Sequence, residues 1–242
     1  MLLRNFRKNK LLSDGEMAVS TCKQPYPCII IDNLYNYNEQ NLIWNELNFL
    51  LDGNKFQGPE GTGTSTLSSE PDNIKYRSNK KGIWLDNLYK NRSISNILTV
   101  NRKLFKYWDE ILPKDIDCWW WKCIMSSEKM LEQDTTLISY YEDGEYYETH
   151  FDLSQLTTLT WFYKEPKSFD GGDLIINPPY DHLLSKTNSL SPYKIEVKHN
   201  RMVIFPGIVP HQVTSVKMNK MYRGEKGMGR FCITNFIQKA VE

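Results

Sequence analysis

Histidine is scarce in this chain, which makes the placing of each one informative: among 242 residues there are only His150, His182, His199 and His211. In Tyr146-Tyr147-Glu148-Thr149-His150-Phe151-Asp152 the first of them stands two positions before a carboxylate. On an extended chain residues i and i+2 project from one face about 6–7 Å apart, so His150 and Asp152 can aim at a single ion. The pair alone is a weak signal, because His-x-Asp also arises by chance. A third ligand has to come from farther along. His182 lies in a proline-led loop, and His199 in the charged turn Lys198-His199-Asn200-Arg201, where a solvated side chain is expected. His211 follows the buried-looking Phe205–Pro210 and opens the strand-like Gln212–Val216. Two histidines and one carboxylate on a β scaffold form a facial set that leaves three positions of a non-haem iron(II) open for a co-substrate and dioxygen.

A co-substrate with a remote carboxylate needs a buried cation, and Arg230 lies 19 residues beyond His211 at the head of Arg230-Phe231-Cys232-Ile233-Thr234. Strand alternation puts Arg230, Cys232 and Thr234 on one face. A guanidinium offers a planar two-donor match to a carboxylate that an ammonium lacks. The competing explanation is an arginine that merely pairs with a surface acid.

The elements around these residues fall into two halves. Pro27–Asp32 reads as a short strand, and Tyr37–Leu51 as a helix with Asn36 or Asn38 as its cap. A second helix is expected over Ile94–Trp108, where apolar residues recur at three- and four-residue steps. Between the helices, Asp52–Asn79 is polar, rich in glycine and too long for a mere connector. From Cys118 on, short β-branched and aromatic runs follow one another: Cys118–Met125, Leu137–Tyr141, Thr157–Tyr163, Asp173–Asn177, Lys194–Val197, Met202–Phe205, Gln212–Val216 and Arg230–Ile237. Pro178–Ser191 and Lys217–Gly229 read as loops between them. The expectation is one mainly β domain with flanking helices over residues 1–242: helical support and a substrate loop in 1–115, and an antiparallel jelly-roll core in 116–242.

Composition removes several classes of function. Thirty basic against 29 acidic residues leave a formal charge of +1, so no global field draws the chain to phosphate backbones or anionic membranes. No nucleic acid or membrane partner is expected. The apolar stretches fall short of the ~20 residues of a membrane-spanning helix. Met1–Ser13 lacks the apolar run of a secretory signal, and a cytoplasmic location is expected. Five cysteines without paired spacing read as reduced thiols, with Cys118 and Cys123 more readily strand packing than a zinc site. Trp119-Trp120-Trp121 is read as strand packing rather than a base-stacking platform.

Four motifs in order carry a family resemblance. Ile138–Asp152, with its run of tyrosines, resembles the approach to the His-x-Asp motif in prolyl hydroxylases of the 2-oxoglutarate/iron(II) dioxygenase superfamily. Gly171-Gly172-Asp173-Leu174 is similar to their Gly-Gly-acidic-Leu strand start. Asn200–Phe205 with Pro210-His211-Gln212-Val213 resembles their second-histidine region, and Arg230–Thr234 their arginine strand. Upstream, Asn54-Lys55-Phe56 and the stretch from Tyr76-Arg77 to Ile83-Trp84 resemble the mobile loop that closes over peptide in the oxygen-sensing members.

The resemblance implies a double-stranded β-helix braced by N-terminal helices, with iron(II), 2-oxoglutarate and O2 as cofactor and co-substrates and ascorbate as a supporting reductant. It implies His150, Asp152 and His211 as metal ligands and Arg230 as carboxylate anchor. Tyr140, ten residues before His150, with Tyr163 and Thr234, would serve the co-substrate, and Arg77 and Trp84 would touch the substrate. The implied reaction hydroxylates a peptidyl proline, in a proline-containing protein or peptide, with succinate and CO2 as co-products. A free amino acid, another side chain or a small metabolite is the alternative substrate, and a jelly roll that only binds a ligand the third reading. The sequence leaves the oligomeric state open. Lys217–Gly229 lengthens the interval before the arginine, which makes Arg223 a competitor for Arg230. The nucleic-acid dealkylating branch is disfavoured, because no second arginine follows on the same strand.

Overall fold

A computed structural model describes residues 3–5, 17–64, 66–68, 75–102, 133–178 and 190–238. The expected strand Cys118–Met125 with its tryptophan triplet and two cysteines, the end of the second helix beyond Arg102, His182, and most of the Pro178–Ser191 loop lie outside the described residues.

Strands β1 (Leu3–Asn5), β2 (Ala18–Cys22) and β3 (Cys28–Asp32) precede helix α1 (Tyr37–Asp52). Short strands β4 (Thr66–Ser68), β5 (Lys75–Tyr76) and β6 (Lys81–Trp84) lead into α2 (Leu85–Leu88) and α3 (Asn96–Asn101). There follow β7 (Gln133–Tyr141), β8 (Tyr147–His150), β9 (Leu156–Phe162), β10 (Phe169–Gly171) and β11 (Leu174–Ile176). The last are β12 (Tyr193–Ile195), β13 (Arg201–Pro206), β14 (His211–Val213), β15 (Val216–Met218) and β16 (Arg230–Gln238). Antiparallel pairing builds an eight-stranded sheet in the order β1-β2-β3-β13-β9-β16-β7-β6 and a four-stranded sheet in the order β12-β11-β14-β8. This is the double-stranded β-helix with flanking helices.

Alternation along the central strands of the large sheet produces two cores. Ile29, Ile31, Ile138, Met202, Ile204, Phe231 and Ile233 face outward and meet Ile43, Leu47 and Leu50 of α1 and Ile97 and Leu98 of α3. The intervening residues, Ile30, Leu159, Trp161, Val203, Phe205 and Cys232, face the small sheet. A strand buried on both faces is apolar without a break, which is why β3 and β13 read as continuous hydrophobic runs.

Helix α1 starts where a capping box forms: the Asn36 side chain accepts from the Glu39 amide, and the Glu39 carboxylate accepts from the Asn36 amide. It is tied to α3 by the buried Glu46, which accepts from the Ser95 hydroxyl and the Ile97 amide, both at 2.8 Å. The second helix starts later than its periodicity suggests, because Arg92–Ile94 forms a separate 3-10 turn and Ser95 caps the α-helix that follows. Lys81–Trp84, expected in the mobile loop, is an edge strand paired with Leu137–Tyr140 of β7. Among the described residues no helix is long and apolar enough to cross a membrane.

His199 departs from the solvated side chain expected of it. Its ring stacks on Trp44 of α1, 6.1 Å between centroids and 8° from parallel, and meets Phe162 edge-on. Nδ1 accepts from the Tyr163 amide at 3.3 Å and Nε2 faces Gln40 Oε1 at 3.1 Å, so the neutral tautomer protonated on Nε2 satisfies both contacts. Burial lowers the imidazole below its ordinary pKa. The unfolded chain therefore takes up this proton first, and the stability that neutral His199 contributes is present above the ordinary histidine value of about 6.5 and lost as pH falls below it. Thermal unfolding followed from pH 7.5 to 5.5 is expected to show a falling midpoint, with a shallower fall in His199→Gln.

Candidate metal centre and its cavity

Strand pairing brings the two candidate histidines together. In the β8–β14 ladder His150 stands opposite His211, and their ring centroids are 4.2 Å apart. Asp152 lies just past β8, where its amide donates to the Gly207 carbonyl at 2.8 Å and fixes the chain against the turn after β13. One carboxylate oxygen is 3.8 Å from His150 Nε2 and the other 3.5 Å from His211 Nε2. One ligand atom from each residue can be chosen so that all three lie within 4.8 Å of one another.

The surrounding bonds prepare these groups as ligands. His150 Nδ1 lies 2.8 Å from the Glu148 carbonyl, and His211 Nδ1 2.8 Å from the Val209 carbonyl. A carbonyl can only accept, so each Nδ1 carries the proton and each Nε2 keeps its lone pair directed at the site. Burial, and after it the neighbouring His211, hold His150 well below the ordinary imidazole range. The Thr157 hydroxyl donates to Asp152 Oδ2 at 2.7 Å, and with that proton committed the Ser154 hydroxyl donates to Thr157 at 2.8 Å. Tyr147 stacks flat on His150 at 3.6 Å. Two neutral imidazoles and one carboxylate on one side of a point suit iron(II) with its remaining positions facing the cavity.

That cavity measures about 940 Å³ and runs between the sheets from the histidines to the large sheet. Arg230, Cys232, Thr234 and Phe236 of β16 line it together with Leu137, Ser139 and Tyr141 of β7, against which they are paired. Arg230 is wholly buried, and among the described residues Nε and both terminal nitrogens have no hydrogen-bond partner. Its guanidinium lies over the Tyr141 ring at 4.6 Å and near Trp161 at 5.6 Å. A buried cation with every donor uncommitted is what a carboxylate would complete. The Gly-Gly pair makes room for it. Gly172 has φ +69°, and a Cβ there would fall 2.8 Å from Arg230 Cδ. At Gly171, with φ +71°, a Cβ would fall 2.2 Å from the Ser215 carbonyl oxygen.

The other expected residues divide. Arg77, Trp84 and Thr234 line the cavity with the three candidate ligands and Arg230. Arg77 donates to the Thr149 carbonyl at 3.2 Å, and the Trp84 indole to the Thr62 carbonyl at 3.3 Å. Tyr140 does not reach the cavity. It faces the helices, its ring 4.5 Å from Phe231, while its hydroxyl accepts from the amides of Gly227 and Gly229. Neighbours on a strand point to opposite faces, and the pairing of Tyr141 with Arg230 gives Tyr141 the inward side. Tyr163 is buried against Phe169 and His199, away from the cavity wall. Arg223 pairs with Asp143 at the surface, 2.9 Å away, and leaves Arg230 as the inward arginine.

Sequence reasoning missed Tyr141, Thr157 and Lys80. Lys80 also lines the cavity and is 2% exposed, its ammonium 5.5 Å from the centre of the Tyr147 ring. The only available signal was alternation ahead of β6, which puts the buried Ser78 and Lys80 on one face.

Residues 136–238 match the model of the 2OG-Fe(II) oxygenase superfamily. The matched stretch carries His150, Asp152, His211 and Arg230, and with the fold and the ligand set it supports a 2-oxoglutarate-dependent dioxygenase using iron(II), 2-oxoglutarate and O2. Among solved structures it is similar to a prolyl-4-hydroxylase from Pseudomonas putida, 12% identical over 88% of this chain and 93% of that one, with a TM-score of 0.50. It also matches a 2OG-Fe(II) oxygenase-family oxidoreductase from Burkholderia pseudomallei, 11% identical over 60% and 58% of the two chains, TM-score 0.40. A third match is the non-haem α-ketoglutarate-dependent epimerase SnoN of nogalamycin biosynthesis, 10% identical over 86% and 76%, TM-score 0.44. A comparison with curated proteins finds no match.

Thr157→Val keeps the shape of the side chain and removes the bond that orients Asp152. Anaerobic iron(II) titration is expected to show affinity about 10–100-fold weaker, the usual effect of losing such a partner, with little change in the melting temperature of the metal-free protein.

Proposed function

We propose that this enzyme hydroxylates a proline residue within a peptide, in the cytoplasm, with ascorbate as a supporting reductant. The observation that carries its oxygenase chemistry is one cavity holding both the His150-Asp152-His211 set and an Arg230 whose donors are all uncommitted. The three ligands would hold iron(II) on one side, and Arg230 would take the remote carboxylate of 2-oxoglutarate, with Tyr141 packed beneath the guanidinium and Thr234 on the same wall. Bound there, the metal, 2-oxoglutarate and O2 supply the oxidising power that turns a C–H bond into C–OH, with succinate and CO2 as co-products.

The chain's own share is positioning and exclusion. Thr157 and the two backbone carbonyls set the direction of the ligands, and the aromatic pair Tyr147 and Phe205 shields the imidazoles from water. Substrate would enter over the Arg77–Trp84 wall. Ser78 bridges to Tyr147 there, and Glu148 donates its amide to Arg77, which joins this segment to the metal-bearing strand. Support for a peptide comes from the four motifs shared with prolyl hydroxylases and from a cavity larger than the co-substrate needs. The burial of Lys80 favours a second reading, a small carboxylate-bearing substrate such as a free amino acid.

The test is anaerobic addition of iron(II) and 2-oxoglutarate, followed by O2 and measurement of succinate with and without proline-containing peptides. A visible charge-transfer band absent in His150→Ala and Asp152→Ala, with succinate raised several-fold by peptide, is the expected result. A band with no rise for any peptide would move the substrate to small molecules, and no band at all would overturn the oxygenase.

A further inference from the structure

One buried cation remains after the machinery above is assigned. If iron(II) and Arg230 supply the positive charge at the reaction centre, Asp152 and the two carboxylates of 2-oxoglutarate balance it, and the centre is neutral. Lys80 and Arg77 then stand on the same cavity wall, and among the described residues no carboxylate is paired with either. Among the described residues Lys80 makes no ion pair, although Asp152 and Glu145 are near enough to attract its charge.

We propose that the substrate presents a carboxylate to Lys80, with Arg77 beside it, and that Lys80 is the residue that selects for that group. The inference rests on the oxygenase reading and narrows its substrate class. Three observations support it. Lys80 is almost wholly enclosed where lysine is normally at the surface. The segment carrying it is held in place: the Lys80 amide donates to the Ser78 hydroxyl, which donates to the Tyr146 carbonyl, and the Tyr146 amide donates to Asn79 Oδ1. The burial has a cost, since desolvation brings the ammonium down to about 8 against the pull of Asp152 and Glu145 and in step with the repulsion of Arg230. An incoming anion would offset that cost. The pairing of Lys81 with Glu142 on the outer side shows the contrast, an exposed lysine that already has its counter-ion.

The probes are common free amino acids and their carboxamides, and short proline peptides carrying Glu or Gln, with free or amidated C-termini. Two readouts are taken: anaerobic calorimetric binding to protein loaded with manganese(II) and 2-oxoglutarate, and succinate formation with iron(II). Carboxylate probes are expected to outperform their carboxamides by about tenfold or more, the scale of one enclosed charge pair. Lys80→Met should erase that difference while leaving 2-oxoglutarate binding within about twofold, since Arg230 anchors the co-substrate. A preference confined to free amino acids identifies an α-carboxylate; one confined to Glu peptides or free C-termini identifies a peptide acid. Equal performance of carboxylates and carboxamides, no binding by any probe, or an equal loss of 2-oxoglutarate affinity in Lys80→Met would each overturn the proposal. Failure of native metal-loaded protein to bind 2-oxoglutarate would instead overturn the oxygenase reading beneath it.

Discussion

A guanidinium that no water reaches costs on the order of several kcal/mol to bury unless something satisfies it, and Arg230 is held in that state by the whole sheet. It occupies the first position of β16, paired on one side with β7 and on the other with β9. Tyr141 and Trp161 offer aromatic faces, Gly172, lacking a Cβ, leaves room for the stem, and no carboxylate of the described residues answers the charge. Aromatic faces attract a cation weakly compared with a carboxylate. The interior is organised for a bound anion more than for the stability of the protein alone.

The metal centre depends on the same architecture from the other side. Its two histidines come from the small sheet, so their distance from Arg230 is set by how the sheets face each other across the inner core of Trp161, Leu174, Val203, Phe205 and Val213. The outer core fixes the large sheet against α1 and α3, and Glu46 locks those helices to each other. Asp32 and Arg201, joined at 2.6 and 3.0 Å, clamp β3 to β13, the strand that leads into His211. Helices far from the chemistry therefore act on it by keeping one sheet flat against the other.

Much of this was legible in the sequence. The His-x-Asp pair, the choice of His211 over His182 and His199, and the arginine heading an alternating strand all follow from residue type and spacing, and α1 with its Asn36 cap from periodicity. What escaped depended on register and on distant packing. Tyr140 and Tyr141 are adjacent, so alternation guarantees one of them to each face, but only the pairing with Arg230 decides which. His199 looked like a turn residue because Trp44, which stacks on it, lies far back in the chain. Lys80 gave only the faint sign of alternation with Ser78, since lysine is ordinarily exposed, and the second helix broke where Ser95 found a capping role inside an apolar pattern.

The proposed role of Arg230 is to hold the remote carboxylate of the co-substrate. Its most direct test is anaerobic binding of 2-oxoglutarate and of 2-oxopentanoate, which shares the keto-acid end and lacks the second carboxylate, to the metal-loaded protein. 2-Oxoglutarate is expected to bind tighter by about two orders of magnitude, the scale of a buried charge pair, and Arg230→Met to abolish the difference. Equal affinities in the native protein would contradict it.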